Sequence, residues 1–231
     1  MIIFLRGVLL IVIGLYLIAI IMAAFFSDGM IFQPQQSGYK DQSNVLKLTS
    51  SDGAKISATY LPNPQAHLTV LFSHGNAEDI GDVKGLLERI RAAGFAVFAY
   101  DYQGYGTSEG RPSEQHAYED ENAAYNFLVQ SMHVPASKII AFGRSVGSGP
   151  ACDLASHRPV AGLILESAFT SAFRVMTRVR VLPFDKFENL RKIKSSLSCA
   201  YRSRNRRFRD QYLQWEGTFC SCKRTQTITL G

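Results

Sequence analysis

Several things are scarce in this sequence of 231 residues, and each scarcity excludes something. Cysteine occurs four times, once in the patterned body (Cys152) and three times near the end (Cys199, Cys220, Cys222). No disulfide framework can be drawn from that spacing, and Cys220-x-Cys222 has no second ligand pair, so no metal site and no cofactor is expected. Histidine is missing from residues 195–231; the five present are His67, His74, His116, His133 and His157. Net positive charge is missing from most of the chain. The total is +6, but residues 196–231 carry +5 of it, from seven Lys/Arg set against Asp210 and Glu216. Basic residues that bind polyanions sit on a folded face, and an excess confined to one tail is not that, so no nucleic-acid partner is expected.

Charge of either sign is absent from residues 7–26, GVLLIVIGLYLIAIIMAAFF. Twenty such residues match the hydrocarbon thickness of a bilayer and predict one transmembrane anchor over residues 1–26. A cleaved signal peptide is the competing reading, with Ala23-Ala24 near a cleavage point. Its apolar region would be shorter, and no clean A-x-A site is present. Arg6 precedes the span and Asp28 is the first charge after it. The positive-inside tendency then places the N-terminus in the cytoplasm and the remaining chain on the outer side.

Residues 27–43 (SDGMIFQPQQSGYKDQS) read as a linker. Two strand-like runs follow, Asn44–Thr49 and Lys55–Leu61, and Asp52-Gly53 between them is a hairpin signal. From residue 68 buried strands alternate with amphipathic helices. The strands are expected at 68–72, 95–100, 138–142 and 160–165, and the helices at 80–93, 114–132 and after residue 147. Such alternation predicts an α/β domain with a mostly parallel sheet and helices on both faces. Ligands of these sheets sit at the carboxyl ends of the strands. Three motifs fall there: His74-Gly75-Asn76, Asp101–Gly106, and Gly143-Arg144-Ser145-Val146-Gly147.

The last of these is a G-x-S-x-G pentapeptide between a strand and a helix, which is the context of a nucleophile elbow. Ser145 is the candidate nucleophile. Acyl transfer also needs two N–H donors where the carbonyl oxygen becomes negative. Val146, after the nucleophile, and Asn76, in the loop after the strand at 68–72, fill those positions. His74 reads as a structural residue of that loop rather than a base. Glu166, ending the strand at 160–165, reads as structural, with a triad acid as the alternative. Cys152 lies inside the helix after the elbow and is a weak third nucleophile. The glycines of Asp101–Gly110 precede no helix, so they shape a pocket, walled by Tyr102 and Tyr105, and cradle no phosphate.

Four ordered motifs carry a family resemblance: S-H-G-N-A-E-D (Ser73–Asp79), D-Y-Q-G-Y-G-T-S-E-G (Asp101–Gly110), G-R-S-V-G-S-G (Gly143–Gly149) and L-E-S-A-F-T-S (Leu165–Ser171). Together they resemble the α/β-hydrolase-domain subfamily of membrane-linked serine hydrolases, relatives of depalmitoylating thioesterases and serine aminopeptidase-like hydrolases. The resemblance spans about residues 27–194. It implies an α/β-hydrolase fold, Ser145 as nucleophile with Asn76 and Val146 as oxyanion donors, and a small-molecule or lipid acyl ester as substrate. The cysteine-rich N-terminus that some depalmitoylases use for lipidation is absent.

After Lys194 the pattern breaks. The family continues with a strand, an H-G-x-x-D segment bearing the triad aspartate, and a late histidine, whereas residues 195–231 form an arginine-rich, non-periodic tail. Read one nucleotide later, Cys199-Ala200-Tyr201 can encode Val-Leu-Ile and Ser203-Arg204-Asn205 can encode His-Gly-Thr. A frame slip near residues 194–197 is therefore expected, with a divergent natural tail as the alternative. The hydrolase domain is expected over 44–194, C-terminally incomplete and lacking its edge strand. Two functions remain: a serine hydrolase impaired by loss of the triad Asp and His, and a non-catalytic membrane-tethered domain that binds an acyl ligand or partner in the same pocket.

Overall fold

The computed structural model describes residues 1–41, 44–176, 181–196 and 219–221. Its centre is a run of strands whose middle residues are apolar. β3 (Thr69–Ser73) and β4 (Ala96–Tyr100) are buried at every position. β5 (Ile139–Arg144) and β6 (Gly162–Glu166) extend the same parallel ladder, with Leu71 opposite both Phe98 and Ala141. Strands buried on both faces read as continuous apolar runs, because a parallel sheet is covered above and below.

The pleat sends alternate residues to opposite cores. Val70, Phe72, Val97, Ala99 and Ile140 pack with Ile80, Val83 and Leu87 of the α2 side, where α2 spans Lys84–Ala92. Leu71, Phe98, Tyr100, Ile139 and Ala141 face α3 (Glu114–Asn126) and α4 (Ser148–His157) through Ala117, Ala124, Ala151 and Leu154. Ser113 starts α3 as its N-cap, accepting from the His116 N–H at 3.0 Å. Beyond Asn126 the chain takes a π turn over Phe127–Ser131, so the helix expected to Met132 ends as α-helix six residues early.

β1 (Leu46–Thr49) and β2 (Lys55–Leu61) form the expected antiparallel hairpin, and β2 joins β4. Gly53 turns it at φ +94°, in the region that glycine enters without strain. With a last strand, β7, at Phe219–Ser221, the sheet order is β1-β2-β4-β3-β5-β6-β7. β7 corrects one expectation. The edge beyond β6 is not bare, since these three residues of the tail pair with Gly162–Ile164, antiparallel rather than parallel. Of the expected tail, residues 195–196 end a helix over Asn189–Ser196, whereas residues 197–218, Asp210 among them, and residues 222–231 lie outside the described residues, as does the last position of the expected frame-slip site.

α1 runs from Ile2 to Ile31, five residues past the expected end of the apolar span. At 1.5 Å per residue its 30 residues measure about 45 Å. It is long and apolar enough to cross a membrane, and none of its apolar window is buried against the domain. Residues 27–31 are thus helix, not linker. The described remainder of that segment is no loose tether either, because Phe32 is buried and Gly38 and Tyr39 are bonded to the domain.

Candidate active site

The elbow is built by two close approaches. A Cβ on Gly143 would lie 2.3 Å from the Gly147 carbonyl oxygen, and one on Gly147 would lie 2.1 Å from that of Ser73. Only glycine permits the strand to fold back onto α4 at that distance. Ser145 sits between them at φ +51°, a left-handed conformation that L-residues seldom adopt. Strain of this kind persists where surrounding structure enforces it, and at an elbow it lifts the side chain clear of the sheet. Val146 follows, 6% exposed, in a 3₁₀ turn leading into α4.

The loop after β3 comes up against Ser145. A Cβ on Gly75 would lie 3.7 Å from that of Ser145. The Gly75 N–H donates to Glu78 Oε2 at 3.0 Å, and Glu78 Oε1 in turn meets Arg144 Nη1 at 3.1 Å. Among the described residues no acceptor takes the Asn76 N–H. Both polar atoms of its side chain are engaged. Nδ2 donates to the Ile31 carbonyl at 2.6 Å, while Oδ1 accepts from Tyr105 Oη at 2.6 Å, from Gln33 N at 2.9 Å and from Ala77 N at 3.1 Å.

His74 holds this loop from below and is fully buried. Its Nδ1 lies 2.7 Å from the Gly75 carbonyl, which can only accept, so Nδ1 carries the hydrogen. Nε2 is 3.4 Å from Asp101 Oδ1 without hydrogen-bond alignment. Tyr102 and Tyr105 flank the ring at 4.4 and 5.4 Å between centroids. Tyr102 Oη donates to the His74 carbonyl at 2.8 Å. These tyrosines brace the loop, and both are 1% exposed rather than free pocket walls.

All five histidines are among the described residues, and none hydrogen-bonds the Ser145 hydroxyl. Glu166 is 3.9 Å from Arg144 Nε, and the acid side of that position is spent on a half-exposed ion pair. Cys152 is wholly buried and burial pushes its thiol pKa up, which disfavours the thiolate a nucleophile needs. Beneath the site, burial also drives the Glu121 carboxyl well above its ordinary range, and Oε1 accepts from Ser73 Oγ at 3.1 Å.

Sequence reasoning missed the strap between α1 and β1. Tyr39 Oη donates to Asp101 Oδ2 at 2.5 Å, and Gly38 N donates to Asp79 Oδ2 at 2.6 Å. Asp101 also takes the Ile80 N–H at 2.8 Å. Asn76, Asp79, Asp101 and Tyr105 are motif residues, and each one holds strap or loop. The available signal was Phe32 and Tyr39, two aromatic residues in a segment otherwise polar enough to be a linker. Further along, Lys186 donates to Asp28 at 2.5 Å and Tyr16 Oη to the Val181 carbonyl at 2.9 Å, so residues 181–186 lie beside α1.

Comparison with known proteins agrees with this architecture. A family model described as serine aminopeptidase, S33 matches residues 42–220, continuing past Lys194. The alpha/beta hydrolase domain-containing protein aho-3 of Caenorhabditis elegans is 46% identical over 118 residues, covering 49% of this chain and 35% of that protein. Human alpha/beta hydrolase domain-containing protein 17B is 37% identical over 161 residues, covering 67% of this chain and 55% of that one. The chain therefore spans between about a third and just over half the length of these relatives. Among solved structures, an alpha-beta hydrolase from Vibrio vulnificus aligns with TM-score 0.55 and 24% identity, covering 66% of this chain and 60% of that one. The Pyrococcus furiosus esterase Pf2001 aligns with TM-score 0.59 and 17% identity, covering 71% and 74%. At those identities the likeness concerns the fold alone.

Proposed function

Because this chain belongs to the serine aminopeptidase S33 family of α/β hydrolases, we propose that it is a serine hydrolase of ester or thioester acyl bonds, acting through an acyl-enzyme on Ser145. The observation that carries the reading is the conformation of Ser145, at φ +51° between two glycines whose missing side chains permit the turn. In the proposed step Ser145 Oγ attacks the acyl carbonyl, whose oxygen becomes negative and is met by the N–H groups of Val146 and Asn76. The unengaged Asn76 N–H supports this role, since a donor held without an acceptor costs no bond to redirect. Collapse of the intermediate expels the alcohol or thiol, and water later releases the acid.

The proton of Ser145 is the weak point. No histidine hydrogen-bonds Ser145 among the described residues, and in this proposal the hydroxyl keeps ordinary alcohol reactivity and its proton passes to solvent. Triad knockouts retain roughly 10³–10⁴-fold catalysis over water through oxyanion donors and binding alone, and that is the level proposed for these 231 residues. The absence of a histidine bonded to Ser145 among the described residues also supports the second reading, a non-catalytic domain that holds an acyl ligand in the same pocket. We further propose that α1 anchors the protein with its N-terminus in the cytoplasm, and that a frame slip near residues 194–197 removed the triad Asp and His.

A fluorophosphonate probe tests the reading on the full chain. Slow labelling that Ser145→Ala abolishes is expected. Labelling at the rate of a base-activated hydrolase would overturn the impairment, and labelling indifferent to Ser145→Ala would overturn the nucleophile. The nucleotide sequence of codons 190–231 decides the frame slip.

A further inference from the structure

The strap leaving α1 meets the oxyanion loop at one side chain. The last carbonyls of a helix have no intrahelical partner and must find one elsewhere. For α1, the Ile31 carbonyl finds the Nδ2 of Asn76, which is 45 positions away in sequence. Two residues on, the Gln33 N–H returns to Oδ1 of the same side chain. One primary amide thus grips the chain on both sides of Phe32. Phe32 itself is 3% exposed and packs edge-on against Tyr105 and Phe187, with centroids 6.4 and 5.9 Å apart. The grip cannot slide.

The loop on the other side of that amide is held under strain. Ala77 sits at φ +55°, and such a residue persists only when its surroundings over-determine it. Its N–H is taken by the Oδ1 of Asn76, so the side chain that grips the strap also fixes the strained turn. Tyr105 Oη donates to that oxygen and accepts from Gln33 N at 3.0 Å, closing a ring of bonds between loop, strap and the loop after β4. None of this is needed for an N–H donor as such.

We propose that the Asn76 side chain is a positioning residue, clamping the juxtamembrane strap to the loop of residues 74–78 so that seating of α1 sets the conformation of the oxyanion donor. The proposal rests on the assignment of Asn76 N–H as donor to the Ser145 site. Its content is separable from that assignment, because the clamp predicts the order of the loop whether or not Ser145 reacts.

The test uses the full chain in lipid nanodiscs. Asn76→Asp keeps size and acceptor oxygens but turns the donor facing the Ile31 carbonyl into a second acceptor. Gln33→Pro removes the strap's N–H from outside the loop. Phe32 is already extended, at φ −93° and ψ 129°, so it tolerates a following proline. Amide hydrogen exchange of residues 74–78 is expected to rise at least tenfold in each variant. Exchange in β3 and β5 stays within twofold, and the double variant resembles either single one. Labelling of Ser145 by the fluorophosphonate falls in parallel by about tenfold.

Unchanged exchange at 74–78 in both variants would overturn the clamp. So would a rise spread evenly over the domain, which would mark a merely structural contact. A wild-type chain that never labels, yet shows the localised exchange, supports the clamp while refuting Ser145 as nucleophile.

Discussion

Asp120 offers a prediction whose size follows from its surroundings. It lies on α3, fully buried, and its carboxylate accepts from Gln103 N at 2.8 Å and Gln103 Nε2 at 3.3 Å. Burial outweighs those bonds and lifts its pKa from the ordinary 3.8 to about 6. A gap of roughly two units at about 1.4 kcal/mol each corresponds to ~3 kcal/mol. The sign follows from which state holds the proton. Below about pH 4 both folded and unfolded chains are protonated, and the group costs nothing. Between about 4 and 6 the unfolded chain ionises first, so stability falls as pH rises, and above 6 the whole penalty applies. Asp120→Asn removes the titration. The melting temperature of the detergent-solubilised protein, followed from pH 4 to pH 8, is the assay. The variant should gain on wild type by ~3 kcal/mol across that range, which is about 6–12 °C for a chain of this size. A difference between the two proteins that stays flat with pH would refute the reasoning, since any change in hydrogen bonding alone is the same at every pH.

Two packing predictions follow from the elbow and from the cluster beside it. Gly147→Ala places a methyl group 2.1 Å from the Ser73 carbonyl oxygen, against backbone that cannot swing away; a loss of about 3 kcal/mol or more is expected, read as a melting shift together with loss of Ser145 labelling. Phe187 is fully buried against Phe32, Tyr118 and Phe169, with its ring filling the space a Cβ on Gly149 would enter. Phe187→Ala should cost about 3–5 kcal/mol in denaturant unfolding, and a cost below 1 kcal/mol would show that the cluster closes over the cavity.

The parts of the fold that were legible in the sequence are those where neighbours in the chain settle the structure. TVLFS and AVFAY could hardly be anything but buried strands, and Asp52-Gly53 between two β-patterned runs could hardly be anything but a turn. The elbow is of the same kind, its two glycines and serine sitting within five positions. What escaped depends on partners far away in sequence. Residues 27–31 read as the start of a linker, yet α1 continues to Ile31, where Lys186 pairs with Asp28 and Asn76 caps the last turn. Gln33 to Asp41 reads as tether because its polar composition hides that Tyr39 reaches Asp101. Tyr102 and Tyr105 read as pocket walls because their hydroxyl partners, a main-chain carbonyl and a side-chain amide, carry no sequence signal. The pairing of β7 with β6 was equally invisible, since three residues carry no periodicity.

The bonding of the strap also decides where this polypeptide can be divided. A soluble domain is ordinarily sought by deleting the apolar helix, and the natural place to cut by composition is just before Asn44. That cut would take with it the Gly38 N–H and the Tyr39 hydroxyl, leaving Asp79 and the fully buried Asp101 short of donors. A buried acceptor stripped of its partner costs about 1–3 kcal/mol. A cut after Ile31 keeps Phe32, Gly38 and Tyr39, and forfeits the Ile31 carbonyl that Asn76 grips together with the Asp28 contacts to Lys186 and Glu114. The bonded unit therefore reaches at least as far back as Phe32, twelve positions before its first strand-like residue, and the grip of Asn76 on the chain extends it one residue further, to Ile31.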